Sequence, residues 1–223
     1  MILVAIVAAV VGAGLGWFGA EFATRVLHER DEDLGPMPGW VRPVNAIAVG
    51  ALCLAVPFVI DNGWVVPAYV WFVALTMALV VTDIHSQLIP NRINYPGTGF
   101  GAALLLGGAL ISGDLGDFGR GLAGVAIFYV LTMILLIVGR GRSFGGGDVK
   151  LSVVLGLFTA FLGWDQFATG VVMGFLIGGF AAMLLLLVRS RGLRDHFAFG
   201  PPMVFGAYVG IVWGEALVNW YLN

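Results

Sequence analysis

Long apolar stretches alternate with short polar breaks along the whole chain. A helix of about 20 apolar residues crosses a bilayer core about 30 Å thick, so each stretch predicts a membrane-spanning helix. The eight predicted spans are Ile2–Ala20, Val44–Ile60, Trp64–Thr82, Thr98–Ile111, Gly121–Val138, Val149–Gly163, Phe167–Val188 and Met203–Leu222. The pattern predicts an all-α fold, a polytopic membrane helix bundle of about eight transmembrane helices. We interpret residues 1–223 as a single membrane-embedded domain, in which residues 21–43 form a short loop.

The basic residues are unevenly distributed over the breaks between the predicted spans. Of the 11 Lys and Arg residues, Arg120 alone falls in an even-numbered break. The others lie after spans one, three, five and seven: Arg25, Arg30, Arg42, Arg92, Arg140, Arg142, Lys150, Arg189, Arg191 and Arg194. Basic residues are retained on the cytoplasmic side of a membrane. The odd-numbered breaks are therefore predicted to face the cytoplasm, with both termini outside.

Composition excludes several classes of protein. Hydrophobic residues make up 60% of the chain and charged residues 11%, whereas soluble domains carry about 25% charged residues. No basic stripe is present to hold phosphates, which argues against a nucleic-acid partner. The chain has one cysteine, Cys53, in an apolar run. One cysteine excludes an internal disulfide and a cysteine-based metal site, so we read Cys53 as a core residue.

Acidic residues at membrane depth are costly and are therefore candidates for function. The run Glu29, Asp31, Glu32 and Asp33 is interpreted as a solvated charge cluster, and Asp114 and Asp117 as members of a glycine-rich outer loop with Arg120. Glu215 lies inside the eighth span, with Asn219 one turn on. They are interpreted as a buried hydrogen-bonded pair or, as the alternative, a proton relay.

Two acids stand out because of where they lie in their spans. Asp83 ends the third span and Asp148 opens the sixth. Two spans separate them, so both are expected near the same membrane interface. Two carboxyl groups held close together share one proton, and such a pair can activate water against a peptide carbonyl. Three glycines precede Asp148, where they remove side-chain bulk and permit unusual backbone angles, so an extended substrate can approach.

Other interpretations of these acids remain open. An Asp at a helix end is often a boundary residue without chemistry. A small proton- or cation-coupled transporter would use Asp83, Asp148 and Glu215 as carriers, but such acids are expected near the bilayer midplane. A third possibility is a membrane scaffold without activity, against which the presence of both acids argues.

Three segments together resemble the type IV prepilin peptidase family, polytopic aspartic proteases of the Gly-x-Gly-Asp class. The segment from Gly145 to Leu151 is similar to the family's Gly-x-Gly-Asp-x-Lys-Leu signature. Asp83, followed by Ile89-Pro90-Asn91, is similar to the first-aspartate segment, and Phe199-Gly200-Pro201 to a third one. The segments occur in the expected order and fit this family better than presenilin-like proteases.

The resemblance implies a function and its residues. Asp83 and Asp148 would be the catalytic pair that cleaves the basic leader of prepilin or pseudopilin-like precursors at the cytoplasmic face of the bacterial plasma membrane. Supporting or substrate-binding residues would be Gly145, Gly146, Gly147, Lys150, Pro90, Asn91, Phe199, Gly200 and Pro201. The expected partners are a precursor with a basic leader and an apolar helix, and membrane lipid. His85 and Lys150 flank the acids and are candidates to tune them, and the acidic run at Glu29 is a candidate to attract the leader.

The chain departs from the resemblance in one respect. Many bacterial members have a larger first cytoplasmic region with a four-cysteine metal site and also methylate the new pilin N-terminus. Here that region is about Glu21–Pro43 and contains no cysteine. We therefore expect cleavage without methyl transfer and without a zinc, S-adenosylmethionine or other cofactor requirement.

Overall fold

The computed structural model describes residues 1–29, 37–139, 145–187 and 198–222. These residues form eight α-helices and no β-strand. The helices are α1 (Ile2–His28), α2 (Val41–Val59), α3 (Val66–Ser86), α4 (Asn91–Ser112), α5 (Leu115–Val138), α6 (Gly146–Leu162), α7 (Trp164–Leu187) and α8 (Gly200–Leu222). Each helix corresponds, in order, to one predicted span.

Six of these eight helices are long and apolar enough to cross a membrane. They are α1, α2, α3, α5, α7 and α8. Helix α6 has only 17 residues, and the first turn of α4 carries the polar residues Asn91, Arg92 and Asn94. The predicted all-helical, multi-pass membrane fold is confirmed. Helices α4 and α6 do not meet the length and hydropathy requirements for a span. Their predicted spans were also the two shortest.

The chain divides into two compact units, Met1–Leu115 and Gly116–Asn223. In the first unit, α1, α2 and α4 pack on α3, whose Tyr69 and Phe72 are fully buried. Helices α1 and α2 approach closely at Gly16, where an added Cβ would lie 2.9 Å from the carbonyl oxygen of Asn45. The Asn45 side-chain amide donates a 2.7 Å hydrogen bond to the Gly16 carbonyl. Small residues thus allow these two backbones to meet.

In the second unit, glycines line the contact between α7 and α8. An added Cβ at Gly206 would overlap the backbone of Gly174, and one at Gly210 would overlap the backbone of Gln166. Helices α5 and α6 also meet at glycines, where the position of a Cβ at Gly156 lies 2.6 Å from the carbonyl oxygen of Gly124. On α8, Gly206 and Gly210 are four residues apart and lie on one helix face, and this face forms the seam with α7.

Helices α4 and α5 begin seven and six residues before their predicted spans, the largest differences among the eight helix starts. Helix α4 begins at Asn91 rather than Thr98, because Pro90 is extended and its carbonyl oxygen accepts hydrogen bonds from the N–H groups of Ile93 and Asn94. Helix α5 begins at Leu115 rather than Gly121. The interpretation of Asp117 and Arg120 as outer-loop residues is therefore wrong, since both lie on α5. Their 2.8 Å ion pair is an i, i+3 contact along that helix.

Candidate active site

Asp83 is held in the last turn of α3. The residue is only 5% exposed, and its carbonyl oxygen accepts a 2.8 Å hydrogen bond from the N–H of Gln87. Gln87 ends the helix in the left-handed region, with φ of 54°. The chain then turns through Ile89 and Pro90, which are both buried, into α4. Pro90 therefore shapes the turn that follows Asp83, while Asn91 is exposed at the start of α4.

Asp148 is held in the first turn of α6. It is 7% exposed, and its Oδ2 accepts a 2.9 Å hydrogen bond from the N–H of Gly145, the residue that precedes the helix. A carboxylate at this position satisfies a backbone donor that the helix leaves free. Lys150 is half-buried two residues further on. The hydrogen bond from the Gly145 N–H to Oδ2 fixes the orientation of the Asp148 carboxylate.

The glycines before Asp148 have ordinary backbone conformations. Gly145 is extended, with φ of −94° and ψ of 158°, and Gly146 and Gly147 are the first residues of α6. Among the described residues, Gly113 is the glycine with a positive φ. The glycines would permit unusual backbone angles, but in this structure they do not adopt them. Gly146 has nothing within 4 Å of the position of an added Cβ, so the space beside this residue is open.

Phe199 and Gly200 define how α8 begins. Gly200 is the buried first residue of the helix. The Phe199 ring lies against Gly178 of α7, where a Cβ would overlap the ring. It also contacts the ring of Phe175, with 5.8 Å between centroids. Phe199 thus packs the start of α8 on α7, and half-buried Pro201 follows in the first turn.

Glu215 and Asn219 are both exposed on α8. The interpretation of this pair as buried is therefore wrong. The reason is the glycine seam: Gly206, Gly210 and Gly214 turn one face of α8 toward α7, and Glu215 lies off that face.

A buried hydroxyl pair was not anticipated from the sequence. The Thr132 hydroxyl on α5 lies 3.1 Å from the Ser152 hydroxyl on α6, and both residues are fully buried. Ser152 follows Asp148 by four residues, so the two share a helix face. The signal in the sequence that could have indicated this pair is Ser152, a polar residue one helical turn after Asp148.

Two cavities lie in the first unit near the turn after α3. One, of about 510 Å³, is lined by α1, α3 and α4. The other, of about 330 Å³, is lined by Val26, Glu29, Pro90, Asn91 and Arg92. Arg92 borders both, and its guanidinium pairs with the Glu29 carboxylate at 2.8 Å. Within the described part of the chain, no three His, Cys, Asp or Glu side chains are grouped closely enough to hold a metal ion.

Comparison with known proteins places these features in a family. The model of the type IV leader peptidase family matches residues 69–188. The chain belongs to this family. The matched range contains Asp83, Pro90, Asn91, the three glycines, Asp148 and Lys150, whereas Phe199-Gly200-Pro201 lies beyond it.

Individual relatives in this family are bacterial proteins named prepilin leader peptidase/N-methyltransferase. The chain is 27% identical to the Aeromonas hydrophila protein over 182 residues, which cover 81% of this chain and 61% of the relative. It is 31% identical to the Bacillus subtilis (strain 168) protein over 157 residues, covering 70% and 59%. The chain thus spans about three fifths of the length of these curated relatives. No solved structure matches it.

Proposed function

We propose that this protein is a membrane aspartic endopeptidase that removes the leader of prepilin or pseudopilin-like precursors. Membership of the type IV leader peptidase family carries the proposal. Its relatives' names supply the substrate class. Asp83 and Asp148, which both lie in the matched range and are both buried at helix ends, are the proposed catalytic pair.

In the proposed reaction the two carboxyl groups converge on one water molecule. The ionised carboxylate removes a proton from the water as its oxygen attacks the peptide carbonyl carbon, and the protonated carboxyl donates its proton to the carbonyl oxygen. Collapse of the tetrahedral intermediate breaks the C–N bond, and the amine leaves with a proton returned by the dyad. The hydrogen bond from the Gly145 N–H to Oδ2 supports this role for Asp148 because it holds the carboxylate in one orientation.

The positions of the acids also support an interfacial reaction over transport. Asp83 lies in the last turn of its helix and Asp148 in the first turn of its own, whereas a transport acid is expected near a helix centre. Glu215, the third acid of the transporter hypothesis, is exposed on α8. We place the reaction at the cytoplasmic face because basic residues collect in the odd-numbered breaks.

We further infer that this chain cleaves precursors without methylating them. A four-thiolate metal site needs four cysteines, and these 223 residues contain one, Cys53, which is buried in α2. The reaction proposed here requires neither a metal nor S-adenosylmethionine.

Co-expression with a prepilin that has a basic leader and an apolar helix tests the proposal. Leader removal is scored by electrophoretic mobility for the wild type, Asp83→Asn, Asp148→Asn and the control Asp61→Asn, whose exposed carboxyl lies between α2 and α3. The wild type and the control are expected to process the precursor, and the other two are not. Full processing by either of these would remove that residue from the active site.

A further inference from the structure

Contacts with α5 hold the helix that carries Asp148 along its length. At the C-terminal end of α6, the Arg120 guanidinium donates to carbonyl oxygens of the last turn. In the middle, an added Cβ at Gly156 would overlap the backbone of α5. Near the N-terminal end, the Thr132 hydroxyl donates a 3.1 Å hydrogen bond to the Ser152 hydroxyl. Of these contacts, the hydroxyl pair is the nearest to Asp148.

The hydroxyl pair is close to Asp148 along α6. Ser152 follows Asp148 by four residues, which is about 6 Å along the helix axis, whereas Gly156 follows it by eight, about 12 Å. Residues four apart lie on the same face of a helix. The face of α6 that meets α5 at Ser152 is therefore continuous with the face that carries the Asp148 side chain.

Hydrogen bonds connect the pair with the first turn of α6. The Ser152 hydroxyl donates to the Val149 carbonyl at 2.8 Å, and a peptide bond joins Val149 to Asp148. The Gly145 N–H donates to the Asp148 Oδ2 at 2.9 Å, and the Gly145 carbonyl oxygen accepts from the Asp148 N–H at 3.1 Å. A displacement of Ser152 would therefore move the backbone turn that carries the carboxylate.

The bond between the two hydroxyls also depends on how the two helices are aligned. Buried Thr159, also on α6, donates to the Leu155 carbonyl of its own helix, and such a bond forms whichever helix lies beside it. Thr132 reaches the Phe128 carbonyl of its own helix as well, but its hydroxyl also faces Ser152 across the interface. A polar pair between two helices specifies one register, because a slide or a rotation separates the two oxygens.

We propose that Thr132 and Ser152 are positioning residues for leader cleavage. Their bond fixes the depth and the rotation of the first turn of α6, and so holds the Asp148 carboxylate in its reactive orientation. This inference rests on the proposed function. Catalytic groups must be held within about 0.5 Å of the productive geometry, and a displacement of about 1 Å can lower a rate about 100-fold. Loss of the bond therefore slows the chemical step and leaves substrate binding unchanged.

Steady-state kinetics of leader cleavage test the proposal. Thr132→Val and Ser152→Ala each remove one hydroxyl, whereas Thr132→Ser keeps it. Loss of an interaction that acts on the chemical step lowers kcat and kcat/KM equally. We expect kcat to fall about tenfold in Thr132→Val and Ser152→Ala, with KM within about twofold of the wild type, and Thr132→Ser to keep about half of the wild-type kcat or more. Ser152→Ala, which removes a single oxygen atom, carries the test if Thr132→Val does not fold.

Two control variants separate positioning from stability. Thr159→Val removes a buried hydroxyl of α6 that bonds its own helix. Gly206→Ala places a Cβ against the backbone of Gly174 and so destabilises the protein through a different pair of helices, α7 and α8. Both should keep the wild-type kcat when assayed in the folded state. A loss of kcat in either control, or in Thr132→Ser, equal to that in Thr132→Val would overturn the proposal.

Hydrogen exchange tests the same role without any need for cleavage. The Gly145 N–H is bonded to the Asp148 carboxylate, so its exchange rate reports how firmly the first turn of α6 holds that group. NMR of 15N-glycine-labelled protein in detergent measures the rate, with the Gly145 signal assigned by its absence in Gly145→Ala. We expect exchange roughly threefold faster or more in Thr132→Val and an unchanged rate in Thr159→Val. Equal rates in Thr132→Val and the wild type would overturn the positioning role.

The outcomes separate the two proposals. If the wild-type chain cleaves no prepilin, the proposed function is overturned, while the exchange rates still decide whether the hydroxyl pair holds the Asp148 turn. If the wild type and Thr132→Val cleave with the same kcat, the positioning role is overturned and the proposed function stands.

Discussion

The Thr132 hydroxyl on α5 donates a 3.1 Å hydrogen bond to the hydroxyl oxygen of Ser152 on α6, and both side chains are fully buried. Ser152 in turn donates to the Val149 carbonyl at 2.8 Å. This chain of bonds lies one helical turn after Asp148. It therefore fixes the register of α6 on α5 close to a proposed catalytic carboxylate.

Removal of this interhelical bond should destabilise the protein measurably. Thr132→Val and Ser152→Ala are each expected to lower the free energy of unfolding by about 1 kcal/mol, the scale of interhelical hydrogen bonds in membranes. The double variant should lose less than the sum, because the two side chains share the bond. The measurement is SDS-induced unfolding in detergent. Thr159→Val is the control, since its hydroxyl donates to the Leu155 carbonyl of its own helix, and an equal loss in that variant would contradict the prediction.

The seam between α7 and α8 should not tolerate a methyl group. Gly206→Ala places a Cβ against the backbone of Gly174, so we expect a loss of about 1–3 kcal/mol through overpacking. Gly179→Ala on α7 meets nothing within 4 Å and should be neutral or slightly stabilising, since Ala favours helix. Thermal unfolding of both variants in detergent measures the difference, and similar midpoints would show that the seam adjusts.

Arg120 should stabilise the end of α6. Its guanidinium donates to the carbonyl oxygens of Ala160, at 2.7 Å, and Phe161. These carbonyls belong to the last turn of the helix, which lacks partners of its own. Arg120→Met should cost about 1.5–3 kcal/mol because bonds to a charged donor are lost, and Arg120→Lys should restore part of it. An unchanged unfolding midpoint for Arg120→Met would contradict this role.

The contacts of Arg120 show what can and what cannot be predicted from the sequence alone. Length and hydropathy suffice to predict eight helices, because each apolar stretch must satisfy its backbone internally in lipid. They do not predict that Arg120 caps a helix 40 residues away, since that contact depends on packing between α5 and α6. Composition also leads to a wrong prediction at residues 115–120. The glycines and the aspartate of this segment are typical of a loop, but the segment is the start of helix α5.

Some functional candidates can likewise be recognised from the sequence, and others only from the structure. Asp83, Asp148 and the segments around them are recognisable because their order and spacing form a pattern. The cavity lined by α1, α3 and α4 is not recognisable from the sequence, because Phe18, Ala78 and Phe100 come from three helices and each is an ordinary apolar residue. The position of Glu215 in an apolar stretch predicts that it is buried. In the structure it is exposed, because the face of α8 that carries the glycines packs on α7 and Glu215 lies off that face.

The processed product should carry an unmodified N-terminus. Cleavage by purified protein should continue at an unchanged rate after chelator treatment and without S-adenosylmethionine, because the proposed step uses two carboxyl groups and water. Mass spectrometry of the new pilin N-terminus measures this with and without added S-adenosylmethionine. An N-methylated product from purified protein would overturn the inference.

The central claim is that Asp83 and Asp148 act as one catalytic unit, and double-mutant kinetics test it most directly. The measurement is the rate of leader cleavage by purified wild type, Asp83→Asn, Asp148→Asn and the double variant. Each single variant should lose about 10³-fold or more, and the double variant should be no slower than the slower single one, because neither carboxyl works without the other. Independent losses that multiply in the double variant, or near-normal cleavage by either single variant, would contradict the account.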